Sequence, residues 1–290
     1  MRKLLLQLDT SRHPSVFDRI VALDAGADEV LAYGGVTEDA VRDLVHGAIF
    51  TRSPKKLHDT AIFIGGTDIA AGERLLAAVR KAFFGPLRVS VMLDSNGSNT
   101  TAVAAVAKLR QAAGTLEGRR AVVAAATGPV GIRASGLLAQ AGADVVVTSR
   151  WSEGAAEVAA RIQQRFGREV KAATMAQPSQ AAAILDGAEL LLAAGSAGVA
   201  LVPREAWTAR PGLRAVADVN AVPPLGIEGI EVTDDGSDRD GIKAFGALGV
   251  GNVKMQIHKA CIARLFERND LVLDAETIGE VARGMTPART

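Results

Sequence analysis

Short apolar runs alternate with helical patterns along the first third of the chain. Compact runs rich in Leu, Val and Ile predict strands at Lys3–Asp9, Glu29–Tyr33, Thr60–Gly65 and Leu87–Asp94. Apolar residues spaced three and four apart predict helices at Pro14–Ala25, Thr37–Ile49, Ile69–Phe84 and Asn99–Ala113. Pro14 suits a first helical turn, and Thr37 is an N-cap candidate. Repeated strand–helix units predict a mostly parallel sheet covered by helices on both faces.

A second strand–helix series follows a break in the pattern at Ala113–Gly118. Its predicted strands are Arg120–Ala125, Asp144–Ser149, Val170–Ala173, Leu190–Ala194 and Ala215–Val219. The glycine-rich stretch Gly226–Gly251 adds one more strand candidate near Ile230–Thr233. A helical pattern returns over Asn252–Glu267, and a final short helix is predicted over Ala275–Ala282.

The stretch from Arg119 to Arg150 carries the clearest motif. An apolar strand leads into Ala-Thr-Gly-Pro-Val-Gly at 126–131, followed by a helix of small residues and a second apolar strand. A dinucleotide site needs this order, because one glycine lets the pyrophosphate approach and another lets helix and strand pack closely. Gly128 and Gly131 fill these roles, while Ala126 stands where a further glycine is usual. The pattern alone leaves an ordinary glycine-bearing turn as the alternative.

The end of the second strand of this motif indicates NADP as the cofactor. An NAD site usually has an acidic residue roughly 20 residues beyond the glycines, to bind the ribose hydroxyls. Here the strand ends in Thr148, Ser149 and Arg150, and a hydroxyl with a guanidinium would bind a 2′-phosphate. A plain surface arginine is the alternative. The predicted cofactor-binding residues are Thr127, Gly128, Pro129, Val130, Gly131, Ser149, Arg150, Ala194, Gly195 and Asn220.

The predicted architecture is therefore α/β with two domains. Residues 1–113 form an N-terminal parallel α/β substrate domain, completed by C-terminal helices within 258–290, and residues 114–257 form a Rossmann-type NADP-binding domain.

Composition excludes several other classes of function. The 290 residues are 48% hydrophobic and 22% charged, with a net charge of +1, so no global field attracts nucleic acid or an anionic membrane. One cysteine, Cys261, and four histidines cannot supply a zinc site of the usual Cys/His spacing, and we expect no metal. Gln7 and Asp9 interrupt the first apolar run too early for a signal peptide, and no apolar stretch has membrane-spanning length. We expect a cytoplasmic protein.

A polar loop follows the fourth predicted strand. Eight consecutive residues, 94–101, are polar or glycine and lie between an apolar run and a helix. An elaborate helix cap is one interpretation. The other is a substrate site, and polar residues that end two further strands, at 9–12 and 65–68, favour a polar heterocyclic substrate. The predicted substrate-binding residues are Asp94, Ser95, Asn96, Ser98, Asn99 and Thr101.

At these stretches the chain resembles the NADP-dependent methylene-tetrahydromethanopterin/methylene-tetrahydrofolate dehydrogenases of methylotrophic bacteria. The shared stretches are Thr60–Gly66, Phe83–Thr101, Thr127–Gly131, Val219–Ile227 and Phe245–Glu267. The resemblance implies reversible hydride transfer to NADP from a methylene carbon held between two nitrogens of tetrahydromethanopterin or tetrahydrofolate, in one-carbon metabolism. The product would be a methenyl cation, and the enzyme would mainly position two rings and exclude water. The resemblance also implies a homotrimer.

The resemblance further implies a catalytic lysine at Lys254. Gly251 and Asn252 are predicted to open the helix, which would place Lys254 in its first turn, where the helix dipole disfavours a cation. A solvated helix lysine is the alternative. Asp94 is the second catalytic candidate, because a carboxylate beside the reacting ring would favour the developing cation.

Two other functions remain open at the level of sequence. A shikimate-like NADP dehydrogenase would need a Lys/Asp pair acting on an alcohol proton, and no comparable N-terminal lysine motif is found. A non-catalytic NADP-sensing module would leave the polar Asp94 loop without a purpose.

Overall fold

The computed structural model describes residues 1–208 and 210–285. The chain divides into two compact units: Met1–Thr100 with the chain from Met255 onward, here unit 1, and Thr101–Lys254, here unit 2. The predicted first domain runs to residue 290, and its last residues, 286–290, lie outside the described ranges.

The strands, in chain order, are β1 Leu4–Asp9, β2 Glu29–Tyr33, β3 Thr60–Gly65, β4 Ser90–Leu93, β5 Arg120–Ala124, β6 Asp144–Ser149, β7 Lys171–Thr174, β8 Leu190–Ala193, β9 Ala215–Asp218, β10 Asp235–Arg239, β11 Ile242–Phe245 and β12 Val272–Leu273. The α-helices are α1 Val16–Asp24, α2 Val41–Phe50, α3 Ile69–Ala82, α4 Ser98–Ala113, α5 Pro129–Gln140, α6 Ser152–Phe166, α7 Ala181–Ile184, α8 Arg204–Trp207, α9 Ala247–Arg264 and α10 Ala275–Gly284. Short 3-10 segments lie at Pro54–Asp59, Ser95–Gly97 and Pro178–Gln180.

Unit 1 is built on a parallel sheet with the strand order β2-β1-β3-β4-β12. The central strands β1 and β3 are buried almost throughout, so they are continuous apolar runs rather than alternating ones. The chain adds β2 on one side of β1 and β3 on the other, which creates a switch point between β1 and β3. Ligands of open α/β sheets bind beyond the carboxyl ends of the strands at such a point.

Unit 2 has the strand order β7-β6-β5-β8-β9-β11-β10, parallel except for the β10–β11 hairpin. From β7 to β11 this is the strand order of dinucleotide-binding folds, with the switch point between β5 and β8. The core on one face of the sheet is apolar and centres on Val122, Leu191, Val216 and the fully buried Trp207. The α/β class predicted from the sequence is confirmed.

Several local predictions are wrong. Helix α1 begins at Val16 with Ser15 as its N-cap, so Pro14 precedes the helix. Helix α2 begins at Val41, because Thr37 starts a turn in which its carbonyl accepts the Ala40 N–H. The stretch Ile230–Thr233 is not a strand.

The missed hairpin lies just beyond that stretch, as β10 and β11. Asp240 and Gly241 join its strands with φ of 56° and 82°, the positive values that an Asp-Gly hairpin turn requires. The Asp-Gly dipeptide was therefore a signal that sequence reasoning overlooked.

Candidate functional site

The loop after β5 forms the floor of the candidate cofactor site in unit 2. Ala125 takes a left-handed conformation with φ of 53°, and its N–H donates to Thr148 Oγ1 at 3.0 Å. Ala126 then donates its N–H to the Thr148 carbonyl at 2.8 Å. The tight turn off the strand is thus made by two alanines tied to the end of β6. Gly128 is the N-cap of α5 and Pro129 its first residue, where the lost N–H has no helical acceptor to miss.

The glycines of this loop have different surroundings. A Cβ on Gly131 would lie 2.6 Å from Ala126 Cα, so this glycine lets the first turn of α5 pack on the loop. A Cβ on Gly128 would meet nothing nearer than the Ala194 carbonyl at 3.8 Å, so it faces open space. These are the two roles that a dinucleotide loop assigns to its later glycines.

A pocket of about 580 Å³ opens above this loop. It is lined by residues that follow β5, β6, β8 and β9, at the carboxyl edge of the sheet around the switch point. The lining includes the predicted cofactor residues Thr127, Gly128, Pro129, Val130, Ser149, Arg150, Ala194 and Gly195. The N-terminus of α5 borders the pocket, and helix N-termini bind phosphate through their first N–H groups and the dipole. Volume, location and helix end together suit a dinucleotide.

A hydroxyl and a guanidinium group lie at the end of β6, at the pocket rim. Ser149 is buried, and its Oγ accepts the N–H of Trp151 at 3.3 Å. Arg150 is exposed, and its guanidinium carbon lies 6.0 Å from the centroid of the Trp151 ring. Gly154 allows α6 to begin close by, since a Cβ there would lie 2.7 Å from Ser149 Oγ. The arrangement places a cation and a hydroxyl where the adenosine ribose of a dinucleotide is bound.

Asn220 does not line this pocket. Its Oδ1 accepts the Val222 N–H at 2.9 Å and its Nδ2 donates to the Pro224 carbonyl at 3.3 Å. The neighbouring Asp218 is fully buried, and its carboxylate accepts the N–H groups of Asn220 and Ile227, each at 2.9 Å. Burial raises the pKa of Asp218, and the backbone donors partly oppose the rise. The structure thus places Asn220 and Asp218 as supports of the loop after β9.

In unit 1, the polar loop after β4 is folded onto itself. Asp94 is buried, and its Oδ1 accepts the N–H groups of Asn99 and Thr100 at 2.9 and 3.0 Å. Its Oδ2 accepts the Thr100 hydroxyl at 2.6 Å. The carboxylate therefore caps the N-terminus of α4.

The other predicted substrate-binding residues divide by exposure. Ser95, Ser98 and Asn99 are buried, and their side chains donate to the carbonyls of Gly65, Ser95 and Leu93 in turn. Asn96 is exposed and left-handed with φ of 53°, and Thr101 is half-buried and belongs to unit 2. The structure does not bring the six side chains to one surface.

A second polar cluster in unit 1 lies at the switch point between β1 and β3. The buried Asp9 carboxylate accepts the N–H groups of Ser11 and Ser15 at 2.8 and 3.0 Å. Ser11 Oγ accepts the Thr67 N–H at 3.1 Å and lies 3.3 Å from Thr67 Oγ1. The sequence marked these strand ends as polar but did not single out Ser11 and Thr67. Their meeting depends on β1 and β3 being neighbours, which only the strand order reveals.

Lys254 is half-buried on α9, where it is the eighth residue of the helix, which begins at Ala247. The prediction that it lies in the first turn is wrong, and with it goes the argument from the helix dipole, which acts within the first turn. One turn further, His258 is fully buried and its ring stacks on Phe63 with centroids 5.4 Å apart. This contact fits a structural role for the histidine.

Within residues 1–208 and 210–285, no three His, Cys, Asp or Glu side chains converge as a metal site would require. A helix long and apolar enough to cross a membrane is likewise not found in that part of the chain.

Comparisons with known proteins agree on one family. A family model described as methylene-tetrahydromethanopterin dehydrogenase, N-terminal, matches residues 16–96. The bifunctional protein MdtA of Methylorubrum extorquens is 50% identical over 285 residues, covering 98% of this chain and 99% of the relative. An NAD(P)-dependent methylenetetrahydromethanopterin dehydrogenase of the same organism is 34% identical, covering 94% and 95%.

Solved structures match in fold alone. Shikimate 5-dehydrogenase from Listeria monocytogenes, solved with shikimate and NAD, has a TM-score of 0.54 at 15% identity and covers 97% of this chain and 96% of its own. The 5-ketofructose reductase of a Gluconobacter strain has a TM-score of 0.51 at 18% identity, with 99% of each chain covered.

Proposed function

Because this chain belongs to the methylene-tetrahydromethanopterin dehydrogenase family, a family of oxidoreductases that use a nicotinamide cofactor, we propose that it transfers hydride reversibly from the methylene carbon of methylene-tetrahydromethanopterin to NADP. We extend the proposal to methylene-tetrahydrofolate as a second substrate. The reaction would serve one-carbon metabolism. The nicotinamide ring supplies the hydride acceptor, and the two pterin nitrogens carry the charge of the methenyl product.

The observation that carries the choice of NADP is the end of β6. Ser149 and Arg150 stand where an acid would select NAD, and both line the pocket beside the start of α5. A 2′-phosphate there gains a charge-assisted hydrogen bond from the guanidinium. Thr127 to Val130 and the start of α5 would hold the pyrophosphate, and Ala194 and Gly195 leave the backbone after β8 open to the middle of the dinucleotide.

The residues of unit 1 are assigned to the pterin. Asp94 is a positioning residue in this proposal, because its carboxylate is buried as the cap of α4. It would hold the loop that carries the exposed Asn96, with Ser95, Ser98 and Asn99 as its supports. We assign direct contact with the polar heterocycle to Ser11 and Thr67 at the switch point, in addition to Asn96.

Lys254 remains the catalytic candidate of unit 2. A cationic amine beside the methenyl carbon would oppose the developing charge, so we assign it to the carbonyl side of the pterin, where it donates a hydrogen bond that orients the ring for hydride transfer. We also infer that the protein is cytoplasmic and that it forms a homo-oligomer, a trimer by family resemblance. Light scattering of the purified protein will test the oligomeric state.

The test is absorbance-monitored NADP reduction with methylene-tetrahydromethanopterin and methylene-tetrahydrofolate in parallel assays. We expect turnover with both pterins, a strong preference for NADP over NAD, and unchanged rates after exhaustive chelation. Shikimate is the control substrate, since the shikimate-like alternative predicts turnover with that alcohol. Binding of NADP without turnover of any substrate would contradict the proposal and favour the NADP-sensing module.

A further inference from the structure

An exposed indole ring lies at the rim of the candidate cofactor pocket. Trp151 is 65% exposed and lines the pocket directly after Arg150. The other tryptophan of the sequence, Trp207, is fully buried and donates its Nε1–H to the Glu228 carbonyl at 2.9 Å. Burial of aromatic surface is strongly favourable, so an exposed indole beside a ligand pocket indicates a surface that the ligand covers.

The backbone of Trp151 is held beside Ser149 and Arg150 at the start of α6. Trp151 is extended, with φ of −123° and ψ of 142°, and it is the residue that precedes α6. Its backbone N–H donates to Ser149 Oγ, and the Arg150 guanidinium lies within cation–π distance of its ring. The Ser149 hydroxyl, the Arg150 guanidinium and the Trp151 ring are thus grouped together at the end of β6.

These three groups suit the adenosine end of the dinucleotide. In this fold the adenosine ribose is bound at the end of the second strand of the motif, here β6. Adenine is a flat aromatic ring, and a tryptophan face is the largest stacking surface that a protein offers to it. We propose that the Trp151 indole stacks on the adenine ring of bound NADP while Arg150 takes the 2′-phosphate. This inference rests on the NADP site of the proposed function.

The proposal predicts a fluorescence signal. Adenosine 2′,5′-bisphosphate carries the adenine and the 2′-phosphate but no nicotinamide, and it does not absorb tryptophan emission. Stacking on Trp151 should quench the emission of the wild-type protein on titration with this ligand. In Trp151→Phe the remaining emitter is the buried Trp207, and the quench should disappear while binding, measured by calorimetry, persists.

Affinities provide the second readout. Trp151→Ala should raise the Kd for NADP and for adenosine 2′,5′-bisphosphate about tenfold, equivalent to about 1.4 kcal/mol. Trp151→Phe should restore most of the loss, because a phenyl ring still stacks. The Kd of nicotinamide mononucleotide, which lacks adenine, should be unchanged in both variants. Because the side chain is exposed, its removal should leave the fold intact, and circular dichroism checks this.

The outcomes separate this inference from the function on which it rests. Unchanged Kd values in Trp151→Ala, together with normal NADP-dependent turnover, would overturn the stacking role alone. Failure of the wild-type protein to bind NADP would overturn both proposals. An equal rise in the Kd for nicotinamide mononucleotide would assign Trp151 to general support of the pocket and also overturn the stacking role.

Discussion

Gly128 and Gly131 lie three residues apart in one loop, and a methyl group added at each would have different consequences. Gly131→Ala places a Cβ against the Ala126 backbone at 2.6 Å. Because backbone cannot move aside cheaply, we expect the free energy of unfolding to fall by roughly 1–3 kcal/mol. Gly128→Ala places its Cβ in open space, with a stability loss under about 1 kcal/mol from the poorer N-cap.

Gly128→Ala should have a large effect on NADP affinity although its effect on stability is small. Its added methyl group would occupy the space in which we propose that the pyrophosphate binds, so the Kd for NADP should rise about tenfold or more in a stable protein. Thermal unfolding and isothermal titration of both variants make the comparison. A Gly128→Ala protein with unchanged NADP affinity would contradict the assignment of this loop to the phosphates.

Arg150 provides a second test at the level of single residues. Arg150→Ala should weaken NADP binding by about 1.5–3 kcal/mol, the range for a hydrogen bond to a charged group. The Kd for NAD is the control, because NAD lacks the 2′-phosphate and should bind the variant as it binds the parent. Equal losses for the two cofactors would mean that the guanidinium supports the pocket rather than the phosphate.

At the scale of elements, the Asp94 carboxylate caps α4, and this role predicts how Asp94 variants change stability and turnover. Asp94→Ala leaves the buried N–H groups of Asn99 and Thr100 without their acceptor, at a cost of about 1–3 kcal/mol. Asp94→Asn keeps an oxygen for these donors, so stability should fall less and turnover should stay within about tenfold of the parent. Measured kcat and melting temperature test this pair. A large kcat loss in Asp94→Asn at unchanged stability would restore a direct electrostatic role.

Helix α9 shows why its start could not be predicted from the sequence. Its first five residues, 247–251, include two glycines and a valine, which are poor helix formers, and the predicted start is therefore at Asn252. In the structure a Cβ on Gly249 would lie 2.2 Å from the Asp234 carbonyl, so this glycine serves close packing of the helix start. Tertiary packing therefore overrides propensity here, and the eighth residue of the helix is Lys254.

Lys254 is testable from this corrected position. If it orients the pterin, Lys254→Ala should lower kcat roughly a hundredfold, the effect of misplacing one reacting ring, with little change in NADP affinity. Lys254→Arg is the matched variant that keeps the charge. Single-turnover hydride transfer should separate the two. Parallel losses in NADP binding and kcat would indicate a structural lysine instead.

At the scale of the molecule, the sequence predicts what is local and misses what depends on strand order. The strands β3 and β6 match their apolar runs residue for residue, because buried parallel strands have no polar face to obscure the pattern. The edge strand β2, whose first and last residues are exposed, matches its apolar run as well. Seven of the ten predicted cofactor residues lie in one continuous motif, Arg119–Arg150. Ser11 and Thr67 are 56 residues apart, and the β1–β3 pairing that joins them is not encoded in either stretch alone.

The single cysteine offers a probe of how far the two units unfold together. Cys261 is fully buried in unit 1, and burial, with the charge of Asp94 as a second cause, raises the pKa of its thiol to about 12. Since the thiolate is the reactive form, a thiol reagent at pH 8 should label it after the protein opens. The candidate NADP site lies in unit 2, and α4 and α9 each contribute residues to both units.

If the opening that exposes Cys261 is global, NADP must slow the labelling. At 100 times its Kd, a ligand that binds the native state stabilises it by about 2.7 kcal/mol, so the labelling rate should fall about a hundredfold. Arg150→Ala at the same NADP concentration is the control, and its slowing should shrink with its weaker binding. A labelling rate that is the same with and without NADP would mean that unit 1 opens by itself, and the two units would then unfold independently.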